Sequence, residues 1–307
     1  MSERVARPGP HTAVTREVLV RYLDAWTPIV LRSHRRATYL DASRGTFAAA
    51  ALRVFGEFAD RIAGHELDVV ILGEPTETPA TGTPPGLSLS SVHEPGELAV
   101  TGPLLAHLDI VASDVLDEPG MWQLVTRLAP GKAREVLLTL PQAGAEQVSG
   151  YRERLHDAGL TFAVAVELAD AEGQVQLLLF ATRDAKHLSR FKDELWAADE
   201  FAGIRYRDPR DPDHTPIDIS LSPQVHPLRE ALLAELARRG RCTVADLQQH
   251  TERETIYRPA DTVRVLTSAA AAGAIAREPQ KGRISPRTIV SKPGDAVRVE
   301  ADSAIQP

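Results

Sequence analysis

The stretch Arg36 to Phe55, RATYLDASRGTFAAAALRVF, constrains this chain more than any other. Ala37 to Leu40 read as a short strand ending in Asp41. A turn through Ser43 and Gly45 follows, and then an alanine-rich helix. A strand, a tight turn and a helix in that order open a doubly wound α/β sheet, and such sheets keep their ligands at the carboxyl ends of the strands. The turn holds a single glycine, whereas a backbone that cradles a cofactor needs two or three so that its N–H groups can approach closely. The scaffold is that of a cofactor site, and its loop is shortened.

The segments on either side fit the same architecture. Val18, Leu19, Tyr22, Leu23, Trp26, Ile29 and Val30 recur at helical spacing with Arg16, Glu17, Arg21 and Asp24 mainly opposite, so an amphipathic helix from Thr12 precedes the first strand. The basic cluster Arg32, His34, Arg35 and Arg36 reads as a solvated connection. Asp68 to Leu72 is a second buried strand, with Glu74 just past its end, where an acidic residue accepts hydrogen bonds from a ribose. Leu104 to Val111 reads as a fully buried parallel strand that brings Asp109 near its carboxyl end. Helices over Trp122 to Leu128 and Glu146 to Asp157 alternate with a strand over Glu135 to Leu140. Thr161 to Leu168 and Gln174 to Thr182 then form a closing hairpin, and Lys186 to Ala198 a helix.

At 307 residues the prior is two domains or one domain with an appendage. The Asp-, Pro- and Arg-rich stretch between Glu200 and Pro223 marks the boundary. The expected division is a flexible start over 1–11, an α/β domain over 12–205, a linker over 206–223, a small helical domain over 224–292 and a tail over 293–307. In the small domain, Pro227 to Arg239, a helix capped by Thr243 and a third from Ala260 to Ala272 precede two short strands around KGRISP. Three helices and a hairpin in that order are a winged helix-turn-helix.

Composition excludes several classes. No apolar run reaches membrane-spanning length, and the first residues, MSERVARPGPHT, lack the apolar core of a signal peptide. One cysteine, Cys242, leaves no intramolecular disulfide or cysteine metal cluster, so a cytoplasmic location is expected. The ten histidines stand singly without metal-ligand spacing, and G-x-S-x-G is absent, which sets aside metal and hydrolase chemistry. Trp26, Trp122 and Trp196 lie on apolar helical faces as core residues. The net charge of −7 is acidic, yet between Arg277 and Arg298 there is a local surplus of four positive charges.

Several segments resemble the three-Cys-motif partner family, whose members join a methyltransferase-like domain to a C-terminal winged helix. They are PHTAVTREVLVRYLDAWTPIV (Pro10 to Val30), YLD (Tyr39 to Asp41), HLDIVASDVL (His107 to Leu116), FATRDAKHLSRFKDELWAAD (Phe180 to Asp199) and TIYRPADTVRVLTSAAAAGAI (Thr255 to Ile275). The resemblance implies a methyltransferase-like, mostly parallel sheet with an antiparallel edge. Two places depart from the family pattern. Asp41 passes through Ala42, Ser43 and Arg44 straight to Gly45, and Asp109 is followed by Ile110, Val111 and Ala112 instead of an aromatic or proline and a glycine.

The expected function is therefore a degenerate methyltransferase-like protein that regulates or interacts through its winged helix, with no cofactor. The alternative is an active S-adenosylmethionine-dependent methyltransferase. In it Asp41 and Gly45 hold the methionine end, Glu74 the ribose, and Asp109 lines the catalytic edge. Nucleic-acid contacts, if the wing provides them, fall to Arg264, Lys281, Arg283 and Arg287, with poor readout of base edges because alanines dominate the third helix. Expected partners are DNA or a protein, no membrane, and a second copy of the chain is compatible with the sequence.

Overall fold

The structure is a computed structural model that describes residues 9–75, 82–111, 113, 116–198, 203–217 and 225–293. The chain divides into two compact units, Met1–Ser220 and Leu221–Pro307. No helix among the described residues is long and apolar enough to cross a membrane.

The first unit begins with α1 (Pro10–Ser33), where Pro10 occupies the first turn, in which its missing N–H costs nothing. Val14, Val18, Leu19, Tyr22, Leu23, Trp26 and Val30 are buried, whereas Ile29, expected on the apolar face, is 36% exposed. Pro10 and His11 belong to the helix instead of a flexible start. His11 Nε2 lies 3.1 Å from the Leu168 carbonyl and 3.2 Å from that of Gln174. Residues 1–8 lie outside the described residues.

After α1 come β1 (Arg36–Ala42), α2 (Ala48–Glu57), the one-turn α3 (Ala59–Ile62), β2 (Glu66–Leu72), β3 (Leu87–Val92) and β4 (Leu104–Asp109). Then follow α4 (Glu118–Leu128), β5 (Arg134–Pro141), α5 (Ala145–Asp157), β6 (Phe162–Ala169), β7 (Val175–Thr182), α6 (Ala185–Ala197), β8 (Arg205–Arg207) and β9 (Pro216–Ile217). Among the described residues these strands form one sheet in the order β3-β2-β1-β4-β5-β7-β6-β8-β9. The first five are parallel, and β7 runs antiparallel between β5 and β6. The fold is thus α/β with a mostly parallel sheet and an antiparallel edge.

One face carries Leu40, Ala42, Ala106, Leu108, Val136 and Leu138. It packs on Met121, Trp122, Leu124 and Val125 of α4 and on Val148, Tyr151 and Leu155 of α5. On the other face, aromatic rings from three helices meet the strands. Tyr22 of α1 meets Phe180 edge-on at 5.1 Å, Phe191 of α6 stacks on Phe180 at 4.1 Å, and Phe55 of α2 meets Tyr39 at 6.2 Å. Strand order reverses between β1 and β4, and sheets of this kind open a crevice at the carboxyl ends of the two strands flanking that point.

The stretch 206–223 corrects the sequence reading, since its first part is not a bare linker. Tyr206 is buried in β8, which pairs with β6, and β9 pairs with β8. The aspartates and prolines that suggest looseness make tight turns here. Asp208 accepts the Arg210 amide at 3.0 Å, and Asp211 accepts those of Asp213 at 3.0 Å and Thr215 at 2.9 Å. The two units divide after Ser220, within that same stretch.

The second unit contains α7 (His226–Arg239), β10 (Cys242–Thr243), α8 (Val244–Glu254), α9 (Pro259–Ala271), β11 (Ala276–Glu278) and β12 (Ile289–Ser291). Its strands pair in the order β10-β12-β11. Thr243 and Asp246 cap α8 reciprocally, with Thr243 N–H donating to Asp246 Oδ2 at 2.9 Å and Asp246 N–H to Thr243 Oγ1 at 3.2 Å. Leu228, Leu232, Leu236, Val244, Leu247, Val265, Leu266, Ile275 and Val290 are buried in this unit. Between α8 and α9, Thr262 Oγ1 donates to Thr251 Oγ1 at 2.7 Å. Cys242 is half-buried, and burial pushes its thiol up.

Candidate functional site

Asp41, Gly45, Glu74 and Asp109 all lie where the carboxyl ends of β1, β2 and β4 meet, so the topology brings the sequence candidates to one edge of the sheet. Asp41 is opposite Ile71 on β2 and His107 on β4. Its carboxylate is fully buried and engaged by its own loop. Oδ1 accepts the Ser43 amide at 2.9 Å and the Ser43 hydroxyl, and Oδ2 accepts the Phe47 amide at 3.0 Å. Burial pushes the Asp41 carboxyl above the ordinary aspartate value, against these hydrogen bonds, which favour the ionised form.

Two further loop donors turn inward as well. Thr46 N–H donates to the Ser43 carbonyl at 3.2 Å and Ala48 N–H to the Gly45 carbonyl at 3.1 Å. Arg44 and Gly45 both adopt positive φ, 58° and 78°, which closes the turn in four residues. A Cβ placed on Gly45 would stand 3.2 Å from Ile71 Cδ1 and 3.4 Å from Pro75 Cβ. The surface that a cofactor needs to approach over this glycine is filled by the protein's own side chains. Glu74 is exposed beyond β2.

Asp109 is 4% exposed at the end of β4, where Oδ1 accepts the Val111 amide at 2.9 Å. That bond shapes the turn that leaves the strand. Two residues earlier, His107 is fully buried, with Nε2 3.0 Å from Thr139 Oγ1 and its ring edge-on to Phe47 at 4.6 Å. Burial lowers its pKa to about 3, so it stays neutral. Arg16 of α1 covers the Phe47 ring with its guanidinium carbon 6.0 Å from the centroid. Among the described residues, packed side chains cap this edge.

Sequence reasoning missed Glu135. It is fully buried at the start of β5, where it accepts from Tyr22 Oη, from Trp26 Nε1 at 3.2 Å and from His187 Nδ1 at 2.5 Å. The Glu135 hydrogen bond holds the His187 pKa above the ordinary histidine value. Burial and the neighbouring Glu135 carboxylate push the Tyr22 hydroxyl well up. The cluster joins α1 and α6 to the amino end of β5, opposite to the edge where a ligand would sit. A signal was present in the sequence: Tyr22 and Trp26 share one helical face four residues apart, and both carry a polar tip that needs a buried acceptor.

In the second unit a groove of about 620 Å³ runs between α9 and the loop joining β11 to β12. Arg264 and Arg283, two of the candidate nucleic-acid residues, line it. Arg264 is less available than the sequence suggests, because its Nη2 lies 3.2 Å from Asp261 Oδ1. Lys281, Arg283 and Arg287 are exposed on the same loop and have no ion-pair partner among the described residues. Among those residues no group of histidine, cysteine and carboxylate side chains is arranged to hold a metal ion.

No protein family profile matches the chain, and no curated protein does. Solved structures share parts of the α/β arrangement. Protein LPL1258 from Legionella pneumophila aligns at 11% identity over 65% of this chain and 97% of its own, with a TM-score of 0.44. Magnesium protoporphyrin IX methyltransferase from Synechocystis PCC 6803 with bound SAH aligns at 12% over 59% and 90%, with a TM-score of 0.36. The pyocyanin biosynthetic protein PhzM aligns at 12% over 53% of this chain, with a TM-score of 0.29, and the match spans 55% of the PhzM chain. At these scores the reading below rests on this chain's own strand order and side chains.

Proposed function

We propose that this chain is a regulatory or interaction protein, in which a methyltransferase-like α/β unit with a degenerate cofactor loop is joined to a winged helix that contacts nucleic acid or a protein. One observation carries the first half. The amides of Ser43, Thr46, Phe47 and Ala48 and both oxygens of Asp41 are bonded within the loop. An anion or cofactor is held at such a turn by N–H groups that point outward, and these point inward. The kinship with the three-Cys-motif partner family belongs to this reading and is supported by the order of the units. The single cysteine fits a reducing compartment, and we assign the protein to the cytoplasm.

The second half is supported by the succession α7, β10, α8, α9, β11, β12 and by the long loop between the last two strands. On this reading α9 is the helix offered to a duplex and the loop is the wing. With Arg264 drawn to Asp261, the contacts fall to Lys281, Arg283 and Arg287, which meet phosphates and not bases.

The competing reading, an active S-adenosylmethionine-dependent methyltransferase, is favoured by the strand order, which puts Asp41 and Asp109 on the two strands flanking the switch point. Calorimetric titration of the full chain with S-adenosylmethionine and S-adenosylhomocysteine separates the two. Affinity no tighter than about millimolar, roughly −4 kcal/mol, is expected. Micromolar binding that Asp41→Ala abolishes would overturn the degenerate-loop reading in favour of the methyltransferase.

A further inference from the structure

The edge of the sheet opposite the cofactor loop carries an unbalanced row of cations. Glu135 on β5 is opposite Thr182 on β7, so the next residues outward, Arg134 and Arg183, come side by side. Like charges placed directly across a strand pair repel. Burial and the neighbouring Arg183 guanidinium both lower the Arg134 pKa. The two side chains flank one glycine. Arg183 Nη1 donates to the Gly131 carbonyl at 2.7 Å, and a Cβ on Gly131 would stand 3.0 Å from Arg134 Nε.

Backbone carbonyls fix both guanidiniums without neutralising them. Arg134 donates from Nε to the Pro130 carbonyl at 3.0 Å and from Nη1 to that of Gly102, and Arg183 donates from Nε to that of Gly159 at 2.9 Å. Each keeps Nη2 without an acceptor, and neither has a carboxylate in ion-pair reach, among the described residues. The row continues toward β1. A Cβ on Gly102 would stand 2.5 Å from the Arg36 carbonyl oxygen, and Arg32, Arg35 and Arg36 are exposed around the start of that strand. Lys132 is exposed in the loop that carries Gly131. Carboxylates are fewer. Glu66 is taken by Arg36 at 2.7 Å, Asp184 caps α6 by accepting the Lys186 amide at 2.8 Å, and Asp157 ends α5. On a chain whose net charge is −7, this edge is positive.

We infer that this amino edge binds the phosphate backbone of duplex nucleic acid. β1, β4, β5 and β7 are consecutive in the sheet, and at about 4.8 Å between neighbours the cations on them span roughly 14 Å. Duplex DNA carries about one charge per 1.7 Å of its axis, so such a span covers several phosphates, whereas a small anion would meet only part of the row. Residues 32–36, 101–103, 129–134 and 183 include no Phe, Tyr or Trp on which an unpaired base could stack, which favours a duplex over a single strand. The contacts are to phosphates and carry no sequence preference. This surface lies on the first unit and does not rest on the winged-helix reading.

The full chain is titrated with short DNA duplexes of unrelated sequence over a range of salt, with vesicles of phosphatidylserine and phosphatidylcholine as a second probe. Arg134 and Arg183 also hold loops. The variant therefore combines Arg35→Ala with Lys132→Ala, exposed side chains that make no hydrogen bond or ion pair among the described residues. Similar binding to every duplex is expected, with the slope of log K against log salt flatter by about 2 in the variant. No duplex binding, a slope equal to the parent's, or binding to the vesicles in place of the duplexes would overturn the inference. Lys281→Ala with Arg283→Ala tests the wing separately. A slope flattened by that pair alone would leave the wing reading standing and remove this one.

Discussion

The Phe47 amide lies 3.0 Å from Asp41 Oδ2, six residues back along the chain, and this bond ties the end of β1 to the first turn of α2. Asp41 is thus a structural residue. Asp41→Ala removes three acceptor contacts from a fully buried position and should cost about 2–4 kcal/mol, seen as a lower melting temperature of the full chain. Its response to S-adenosylmethionine should match the parent's. A variant as stable as the parent would show that the loop does not rely on this carboxylate.

His187 and Glu135 predict a pH dependence. The His187 pKa is raised in the folded protein, so the stability it contributes is fully present below about 6.5, the ordinary histidine value, and is lost as pH rises through the folded value. Melting temperature should therefore decline from slightly acidic to alkaline pH. Replacing the imidazole by His187→Phe should remove that decline. The charged neighbours Asp184 and Arg190, and Tyr22 across the cluster, are the same in both proteins and cancel in the comparison.

Glu235 gives the opposite sign in the second unit. Arg238 and Arg239 bond its carboxylate, His250 stands 3.7 Å away, and its pKa is lowered to about 2, chiefly by the Arg238 hydrogen bond. Stability from this group is present above about 4.5 and is lost as pH falls toward 2. Acid titration of α7 unfolding by circular dichroism should be displaced to higher pH in Glu235→Gln. Superimposable curves would refute the assignment.

If the second unit binds duplex DNA, the phosphate contacts should appear as salt dependence. Lys281→Ala combined with Arg283→Ala should weaken binding alike on unrelated sequences and flatten the slope of log K against log salt by about 2. Tight binding to one sequence that ignores this pair would contradict the reading of the loop.

The two units should also be separable. Fragments 1–220 and 221–307 should each unfold cooperatively by themselves, because each has its own buried core. A single transition seen only in the full chain would mean that one core depends on the other.

Periodicity made most of the fold legible. Val18 to Val30 and the apolar strands over Asp68 to Leu72 and Glu135 to Leu140 appear where their patterns place them, whereas the strand expected over Leu104 to Val111 ends at Asp109 and leaves Val111 exposed. The edge strands β8 and β9 were hidden because Asp208, Asp211 and Pro216 carry turn chemistry, and composition does not distinguish an ordered turn from a linker. Asp41, Gly45 and Asp109 were legible as residues at one edge of the sheet. The direction of the loop amides was not, since it depends on the φ angles of Arg44 and Gly45 and on the packing of Ile71 and Pro75. In the Glu135 cluster the local pattern shows two donors, Tyr22 and Trp26, but not their acceptor, which lies more than 100 residues further along the chain.

The sheet order also bears on self-association. The outermost strand on one side, β9, has two residues, and one of them, Pro216, has no N–H to offer a neighbouring chain. On the other side β3 is six residues long, LSLSSV, carries no charged side chain and has one neighbouring strand, β2, among the described residues. If destabilised molecules polymerise edge to edge, growth should be one-sided. A lysine placed at Ser90 would be the economical way to stop it.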